Sequence, residues 1–457
     1  MSQRPSLVSS LPQPQERPPA WFSYSVLAVT LLALALRLAA VLTIPTQPVS
    51  DFWSLFTRAA NLHDFGTYEA IPGRPDASFP PLYPILLSGS FAIPLDRLLT
   101  SKVLNAILGS ASVLIIAELT FLFAGPKVGI VAALIQALYP RSVLMPVLIA
   151  AENLFIPLLL FWALLAIRYI LRDTSSTRGL VILGLVSGLL TLTRSVAYLL
   201  WIVIPLLTLL RGRPILTAAK ELALLALFSN LVLVPWGYRN SRVLGQYTVL
   251  NSTGGVGLFI GNNPGSTGDF YPWQADIIQQ DPGFFERTVI EQDSEARSLA
   301  LRWIEENPGQ AARLYLLKMY HLFSNEEFVK DFAISYGPVE PPWPAAPPLP
   351  LDHPIRQYGL TIAGALNSAF LTILALEVMG TALAILLGRT RLSVNSRWAG
   401  AALLMFAIYF PALSAAFHSI TRYRWPFTDL LVPFAAFAVV TLIGLLAMRA
   451  TMRKTGS

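Results

Sequence analysis

The sequence contains no cysteine, and it has few charged residues and few histidines. Without cysteine, disulfide bonds, thiolate nucleophiles and thiolate metal sites are excluded. Charged residues make up 13% of the chain, whereas soluble domains carry about 25%, so a soluble enzyme is excluded. The histidines form no His-Glu-x-x-His or similar metal-ligand spacing, and the chain has no phosphate loop, dinucleotide-binding fingerprint or Gly-x-Ser-x-Gly elbow.

Apolar residues are abundant instead, at 54% of the chain. Apolar runs of about 18 or more residues predict membrane-spanning helices. Because the bilayer core offers the backbone no hydrogen bonds, these runs predict an all-α polytopic membrane protein with a bundle of about ten transmembrane helices. The predicted spans are 23–44, 102–123, 128–147, 152–170, 179–194, 195–210, 216–235, 358–388, 398–417 and 427–448.

Lysine and arginine outnumber aspartate and glutamate, and the formal net charge is +7. These basic residues concentrate in the short loops and tails on one side of the predicted spans, which places that side in the cytoplasm. The short loops on the other side hold few of them. The positive charge is therefore a topology signal, and we do not expect nucleic acid to be a partner.

This orientation divides the chain into five parts. We predict a cytoplasmic tail at 1–22, an N-terminal transmembrane bundle at 23–235 whose external loop 45–101 carries the active site, an external domain at 236–357, C-terminal transmembrane helices at 358–448 and a cytoplasmic tail at 449–457. The chain shows no internal repeat of the kind found in inverted-repeat transporters.

The two predicted external segments are mostly helical. In the first, Phe52–Phe65 has the pattern of an amphipathic interfacial helix. In the second, helices are predicted over Phe284–Glu306 and Pro308–Phe323, because proline suits the first turn of a new helix. Gly337–Pro354 is rich in proline and predicts an extended strap that leads back to the membrane.

Two carboxylates lie at the predicted outer membrane face. Asp51 follows the first span, where it is either a helix cap or a catalytic group, since aspartate is a favoured cap residue. Glu152 lies at the outer start of the fourth span. It is either an acid favoured by the helix dipole or part of a polar site, because a carboxylate at this depth is costly without a partner or water.

Several arginines lie at the same face. Arg194 joins two predicted spans, and Arg422 and Arg424 precede the last one, while Arg58 and Arg74 belong to the first external loop. A guanidinium group matches the oxygens of a phosphate. Any one of these arginines could instead extend to the lipid headgroups, but several of them opposite an aspartate favour an anion site.

Charged residues also occur inside the predicted spans. These are Arg37, Glu118 and Glu377. Such residues are expensive in a membrane, so they are expected to be functional or paired. We predict that these three form structural pairs.

The order of several motifs resembles the GT-C class of glycosyltransferases that use polyprenyl-phosphate sugars. The nearest branch is that of the bacterial relatives of protein O-mannosyltransferases and lipid A aminoarabinose transferases. Two features differ from many members: Asp51 is followed by Phe52 instead of a second acid, and the nearest basic residue before the paired prolines is Arg74. The motifs are Asp51, Phe79-Pro80-Pro81-Leu82-Tyr83-Pro84, Ala151-Glu152-Asn153-Leu154, Leu192-Thr193-Arg194, Pro235-Trp236-Gly237-Tyr238-Arg239-Asn240, Gly254-Gly255, Gly261-Asn262-Asn263-Pro264, Glu306-Asn307-Pro308 and Arg422-Tyr423-Arg424-Trp425-Pro426.

The resemblance implies a GT-C-like bundle and an inverting hexosyl or pentosyl transferase in the inner membrane. It would move a sugar from an undecaprenyl-type phosphate donor to a hydroxyl of a glycan, lipid or protein on the extracytoplasmic side. The implied catalytic residues are Asp51, as general base, and Glu152, while the five arginines named above would hold the donor phosphate. The implied substrate-groove residues are Tyr83, Tyr423, His418, Arg239 and Asn240.

No metal site and no cofactor are assigned, although a divalent cation is left open. A membrane lipid and the lipid-linked sugar are the expected partners. The alternative function is a transporter or flippase for an anionic lipid or lipid-linked sugar, which would also use intramembrane acids and arginines. A non-catalytic assembly scaffold is a third reading, and it would not require Asp51.

Overall fold

The computed structural model describes residues 18–172, 176–324, 326 and 354–455. Within these ranges the chain is helical, and the only strand-like contacts are two isolated bridges, Ile71 with Arg74 and Asp269 with Ser419. The predicted all-α fold class is therefore confirmed. The predicted strap Gly337–Pro354 lies outside the described residues, except for Pro354 itself.

Seventeen described helices follow one another along the chain. In order they are α1 Ala20–Thr43, α2 Ser50–Phe65, α3 Leu82–Ser90, α4 Arg97–Ala124, α5 Pro126–Leu138, α6 Pro140–Leu144, α7 Glu152–Leu171, α8 Thr177–Thr191, α9 Val203–Leu210, α10 Ile215–Leu244, α11 Gly254–Gly261, α12 Gln274–Gln280, α13 Val289–Glu306, α14 Pro308–Ser324, α15 Pro354–Arg391, α16 Val394–Ser414 and α17 Trp425–Thr455. Short 3-10 turns occur between them, for example at Ser195–Ala197, Leu200–Ile202 and Thr421–Arg424.

Seven described helices are long and apolar enough to cross a membrane: α1, α4, α7, α10, α15, α16 and α17. An eighth span arises if Pro126–Leu138 and Pro140–Val147, which meet at 56°, are counted together. The other two predicted spans, 179–194 and 195–210, coincide with the shorter apolar segments Thr177–Thr191 and Ser195–Leu210. The chain breaks around Arg194 between them, where 3-10 turns replace the regular helix.

The transmembrane helices approach one another closely at small residues. A Cβ atom on Gly188 of α8 would lie 2.6 Å from the carbonyl oxygen of Ser229 in α10, so only glycine fits there. Close helix contacts of this kind are common in membranes, where packing rather than the hydrophobic effect holds helices together. Trp162 of α7 adds a hydrogen bond of 2.8 Å to Ser187 of α8.

A buried polar cluster joins α5 and α6 to the last helix. Arg141 forms an ion pair of 2.8 Å with Asp429, and the two side chains are 2% and 1% exposed. Gln136 donates to the other carboxylate oxygen of Asp429 at 2.9 Å, and Arg37 of α1 donates to the backbone oxygen of Gln136 at 3.0 Å. Removing one partner of such a buried pair is strongly destabilising, so this cluster fixes α17 against the N-terminal bundle.

The charged residues inside the spans have different surroundings. Glu118 pairs with Arg168 at 3.0 Å, near the surface. Arg37 donates to two backbone carbonyls. Glu377 is fully buried, and within the described part of the chain neither of its carboxylate oxygens has a hydrogen-bond partner. The predicted pairing is thus seen for Glu118, and for Arg37 with backbone acceptors.

The segments outside the spans contain the expected helices. The helix α2 covers the predicted interfacial helix and ends at Gly66, whose φ of 69° suits glycine. The helix α13 starts later than predicted because Thr288 and Glu291 form a capping box at its start. The next helix, α14, begins at Pro308 as predicted.

Candidate active site

A cavity of about 1160 Å³ lies where the ends of several helices meet. Its walls come from the start of α2, the start of α7, the break that follows α8, the segment 246–254 and the connection from α16 to α17. One part of the lining is apolar, including Val196, Leu413 and Phe417, and another part carries acids and arginines. A cavity with these two kinds of wall suits an amphipathic ligand.

Asp51 faces this cavity from the first turn of α2. The N-cap residue of α2 is Val49, and no side chain caps the helix. Ser50, directly before Asp51, has a φ of 51°, a value that is uncommon for residues other than glycine. Strained backbone of this kind clusters at functional sites. The carboxylate of Asp51 is 41% exposed.

Two ion pairs cross the cavity wall. Arg422 donates to Asp51, and Arg194 donates to Glu152. The arginine side chains are 14% and 22% exposed, whereas Glu152 is only 2% exposed. The fold thus brings together four of the residues singled out in the sequence, two carboxylates and two arginines.

An aromatic side chain packs against Arg194. Its guanidinium carbon lies 5.3 Å from the ring centre of Tyr423, a cation–π contact. The hydroxyl of Tyr423 is 3.3 Å from Nε2 of His418, and Nδ1 of His418 is 3.3 Å from the carbonyl oxygen of Gly257. All of these residues except Gly257 were sequence-predicted site residues, and all four line the cavity.

The protonation of His418 follows from its burial. Burial lowers the pKa of His418 to about 4, so the ring is neutral near neutral pH. The carbonyl of Gly257 can only accept, so we assign the proton to Nδ1. Nε2 then accepts the hydrogen bond from Tyr423. These two hydrogen bonds fix the orientation of the Tyr423 ring that contacts Arg194.

The other three candidate phosphate ligands do not line this cavity. Arg424 is fully buried, pairs with Glu326 at 3.0 Å and lies 3.7 Å from the ring centre of Phe370. Arg58 is buried too, and it binds both oxygens of Asp76 at 2.6 Å. Arg74 is exposed in the loop between α2 and α3.

Three predicted groove residues support the walls instead of lining them. Tyr83 is buried and donates to Asn105 at 3.0 Å. Arg239 donates to the backbone oxygens of Asp76 and Tyr68, each at 2.8 Å, and so ties α10 to the loop between α2 and α3. Asn240 donates to the backbone of Thr248, which does line the cavity, at 2.8 Å.

Sequence reasoning missed two features of the cavity. Tyr409 of α16 donates to the carbonyl of Val196 at 2.7 Å and accepts from the amide of Leu199 at 3.3 Å, so it holds the broken segment after α8. Asp293 accepts from the amide of Gly255 at 2.5 Å and pairs with Arg297 at 2.6 Å. In the sequence, the four-residue spacing of Asp293 and Arg297 indicates an ion pair on one face of a helix. A tyrosine in an apolar helix gives no comparable indication of its contacts.

The described residues contain no group of three or more His, Asp or Glu side chains that could hold a metal ion. Asp51 and Glu152, the acids of the cavity that were singled out in the sequence, are each engaged with an arginine. A divalent cation therefore stays an open prediction.

The structure is similar to that of a known enzyme. The archaeal oligosaccharyltransferase AglB from Archaeoglobus fulgidus, in complex with an inhibitory peptide and a dolichol-phosphate, matches with a TM-score of 0.52 and 15% identity over 95% of this chain and 52% of that chain. The Archaeoglobus fulgidus oligosaccharyltransferase in complex with Zn and sulfate matches with a TM-score of 0.50 and 15% identity over 94% and 50%. The chain thus spans about half the length of these oligosaccharyltransferases.

A third structure, ArnT from Cupriavidus metallidurans bound to undecaprenyl phosphate, matches with a TM-score of 0.41 and 14% identity, over 92% of this chain and 77% of that chain. No family model and no curated protein sequence matches the chain. The resemblance seen in the sequence motifs is confirmed at the level of the fold by the structural neighbours. The chain is an integral membrane protein with the fold of the GT-C glycosyltransferases.

Proposed function

We propose that the protein is an inverting membrane glycosyltransferase that uses a polyprenyl-phosphate sugar as donor and a hydroxyl group as acceptor. The observation that carries this proposal is the arrangement of Asp51, Arg422, Glu152 and Arg194 around one large cavity. The cavity joins charged groups to apolar walls, as a lipid-linked sugar requires. The GT-C fold supports the proposal, since a structural neighbour was solved with a dolichol-phosphate.

The proposed reaction is a displacement at the sugar. The acceptor oxygen attacks the anomeric carbon of the sugar, and the bond between this carbon and the phosphate oxygen breaks. Asp51 takes the proton of the acceptor hydroxyl. The polyprenyl phosphate leaves with the bonding electron pair, and Arg194 and Arg422 stabilise the negative charge that develops on it.

The two carboxylates take different roles in this proposal. Asp51 is partly exposed to water, so an acceptor that arrives from the aqueous side reaches it. Glu152 is buried and paired, so it holds Arg194 in place and is the second candidate for the base. The ring of Tyr423 fixes the other side of the same arginine.

We also propose that the cavity faces the extracytoplasmic side of a bacterial-type inner membrane. The support is the concentration of lysine and arginine in the opposite loops and tails. In this orientation the loop 45–101 and the segment 236–357 are external. The hydrophobic tail of the donor stays in the membrane while its sugar meets an acceptor glycan, lipid or protein in water.

The test uses purified protein in detergent with a polyprenyl-phosphate-linked sugar. We expect release of free polyprenyl phosphate that depends on a hydroxyl acceptor. Movement of the intact donor across a vesicle membrane, without cleavage, would instead support a transporter. A comparison of glycolipids and glycoproteins from cells with and without the gene identifies the sugar and the acceptor.

A further inference from the structure

The two candidate phosphate ligands of the cavity are both engaged by carboxylates when no donor is bound. Arg422 donates to Asp51, and Arg194 donates to Glu152. The four charges of this set balance. A donor phosphate that enters the cavity brings an additional negative charge, so it competes with a carboxylate for at least one guanidinium group.

The burial of the two carboxylates decides which pair opens. Glu152 is 2% exposed, and separating it from Arg194 would leave a buried charge without its partner, which is strongly unfavourable. Asp51 is 41% exposed, so water solvates its carboxylate when it leaves Arg422. Partly exposed pairs of this kind contribute little stability. The Asp51–Arg422 pair is therefore the one that a phosphate replaces.

The same pair limits access to Asp51. The carboxylate oxygen of Asp51 that accepts the hydrogen bond from Arg422 is not open to an acceptor hydroxyl. The proposed function requires Asp51 to accept a proton. This oxygen thus has to leave Arg422 before it can act.

We propose that Arg422 is a positioning residue that holds Asp51 until the donor phosphate takes the place of the carboxylate. Phosphate binding at Arg422 and release of the base at Asp51 are then one exchange, while the Glu152–Arg194 pair stays closed. The inference rests on the proposed function, and it adds that the base becomes available only in a site that the donor occupies. It also makes Asp51 a competitor of the phosphate.

The exchange is tested by the binding of undecaprenyl phosphate to the full-length protein in nanodiscs. Asp51→Asn removes the competing charge and keeps the shape of the side chain, so we expect binding about fivefold tighter than in the wild type, a factor that corresponds to about 1 kcal/mol. Asp64→Asn is the matched control. It removes the same charge from the same helix, and Asp64 is 35% exposed and pairs with an arginine, Arg97, but it does not line the cavity, so its effect should stay below twofold.

A double-mutant cycle separates the exchange from simple charge repulsion. In an Arg422→Ala background, Asp51→Asn should no longer tighten binding, because no guanidinium group is released. If that variant binds too weakly to measure, an Arg422→Gln background replaces it. Glutamine keeps hydrogen-bond donors for the phosphate but carries no charge for Asp51 to neutralise, so the tightening should be absent there too.

The outcomes distinguish this inference from the function on which it rests. If the wild type binds undecaprenyl phosphate but Asp51→Asn does not bind it more tightly than the wild type does, the exchange is wrong and the proposed function stands. Equal tightening with and without Arg422, or in the Asp64→Asn control, also overturns it. If neither the wild type nor any variant binds the lipid, the proposed function itself fails.

Discussion

The two carboxylates of the cavity differ in burial, and this difference separates their roles. Asp51 is 41% exposed and Glu152 is 2% exposed, although each accepts a hydrogen bond from an arginine. A general base has to exchange protons with its surroundings, which favours the exposed group. A buried carboxylate with a charged partner is better suited to hold that partner in place.

The substitution Asp51→Asn tests the base. A helix cap would tolerate this change, because asparagine caps about as well as aspartate. A general base would not, and we expect transfer to fall by about 10²–10⁴-fold while the protein still inserts and binds undecaprenyl phosphate. The measurement is the initial rate of sugar transfer. Near-normal turnover would assign the base to Glu152 instead.

The lowered pKa of the part-buried His418 makes the stability of the protein depend on pH. Its pKa is lowered to about 4 in the folded protein, whereas an unfolded histidine has a pKa of about 6.5. The unfolded chain therefore binds the proton more readily, and the stabilisation is complete above about pH 6.5 and is lost as the pH falls toward 4. We expect the thermal midpoint to drop in this window, and to drop less in His418→Gln, which cannot be protonated. Parallel curves for both proteins would contradict this.

At the scale of elements, the break after α8 is the feature that forms the site. Arg194 lies at this break, and the 3-10 turn Ser195–Ala197 that follows it contributes Ser195 and Val196 to the cavity wall. Irregular backbone at membrane depth is tolerated where it lines a cavity or is buried in protein. The hydroxyl of Tyr409 fixes the break through its bonds to Val196 and Leu199.

The substitution Tyr409→Phe tests this role. It removes the hydroxyl and keeps the ring, so the broken segment loses two hydrogen bonds at a cost of about 1 kcal/mol each. We expect a lower thermal midpoint and weaker binding of undecaprenyl phosphate, because Arg194 loses its fixed position. Tyr24→Phe on α1 is the control, since Tyr24 is 73% exposed. An equal effect of both substitutions would show that the hydroxyl of Tyr409 has no special role.

At the scale of the whole molecule, the polar cluster around Asp429 and the ion pairs of the cavity connect distant parts of the chain. Asp51 and Arg422 are 371 positions apart, and Arg141 and Asp429 are 288 apart. The last helix thus packs into the N-terminal bundle, and the 3-10 turn before it brings Arg422 to the start of α2. The site is complete only when both ends of the chain are folded together.

The orientation of the molecule is tested with single cysteines, since the chain has none of its own. Thr267→Cys lies in the segment that we propose to be external, and Asn395→Cys lies at the start of α16, at an end that we propose to be cytoplasmic; both positions are exposed. In intact cells a membrane-impermeant thiol reagent should label the first variant only. Labelling of Asn395→Cys alone would reverse the topology and place the cavity in the cytoplasm.

Much of the fold could be predicted from the sequence, but less of the site. Each predicted span coincides with a helical segment, because hydropathy acts locally along the chain. Arg422 and Arg424 looked equivalent in the sequence, yet the first faces the cavity and the second is buried against Glu326. Residues two apart on a helical turn point to different sides, and only packing decides which side becomes the cavity.

The sequence by itself determined that this is an all-α membrane protein with a basic side and a polar opposite face, since composition and charge are properties of short segments. It also marked Asp51, Glu152, Arg194 and Arg422 as residues of that face. Only the tertiary structure decided that these four pair with one another across a cavity. Such pairing depends on how helices far apart in the chain pack, and no local pattern records it.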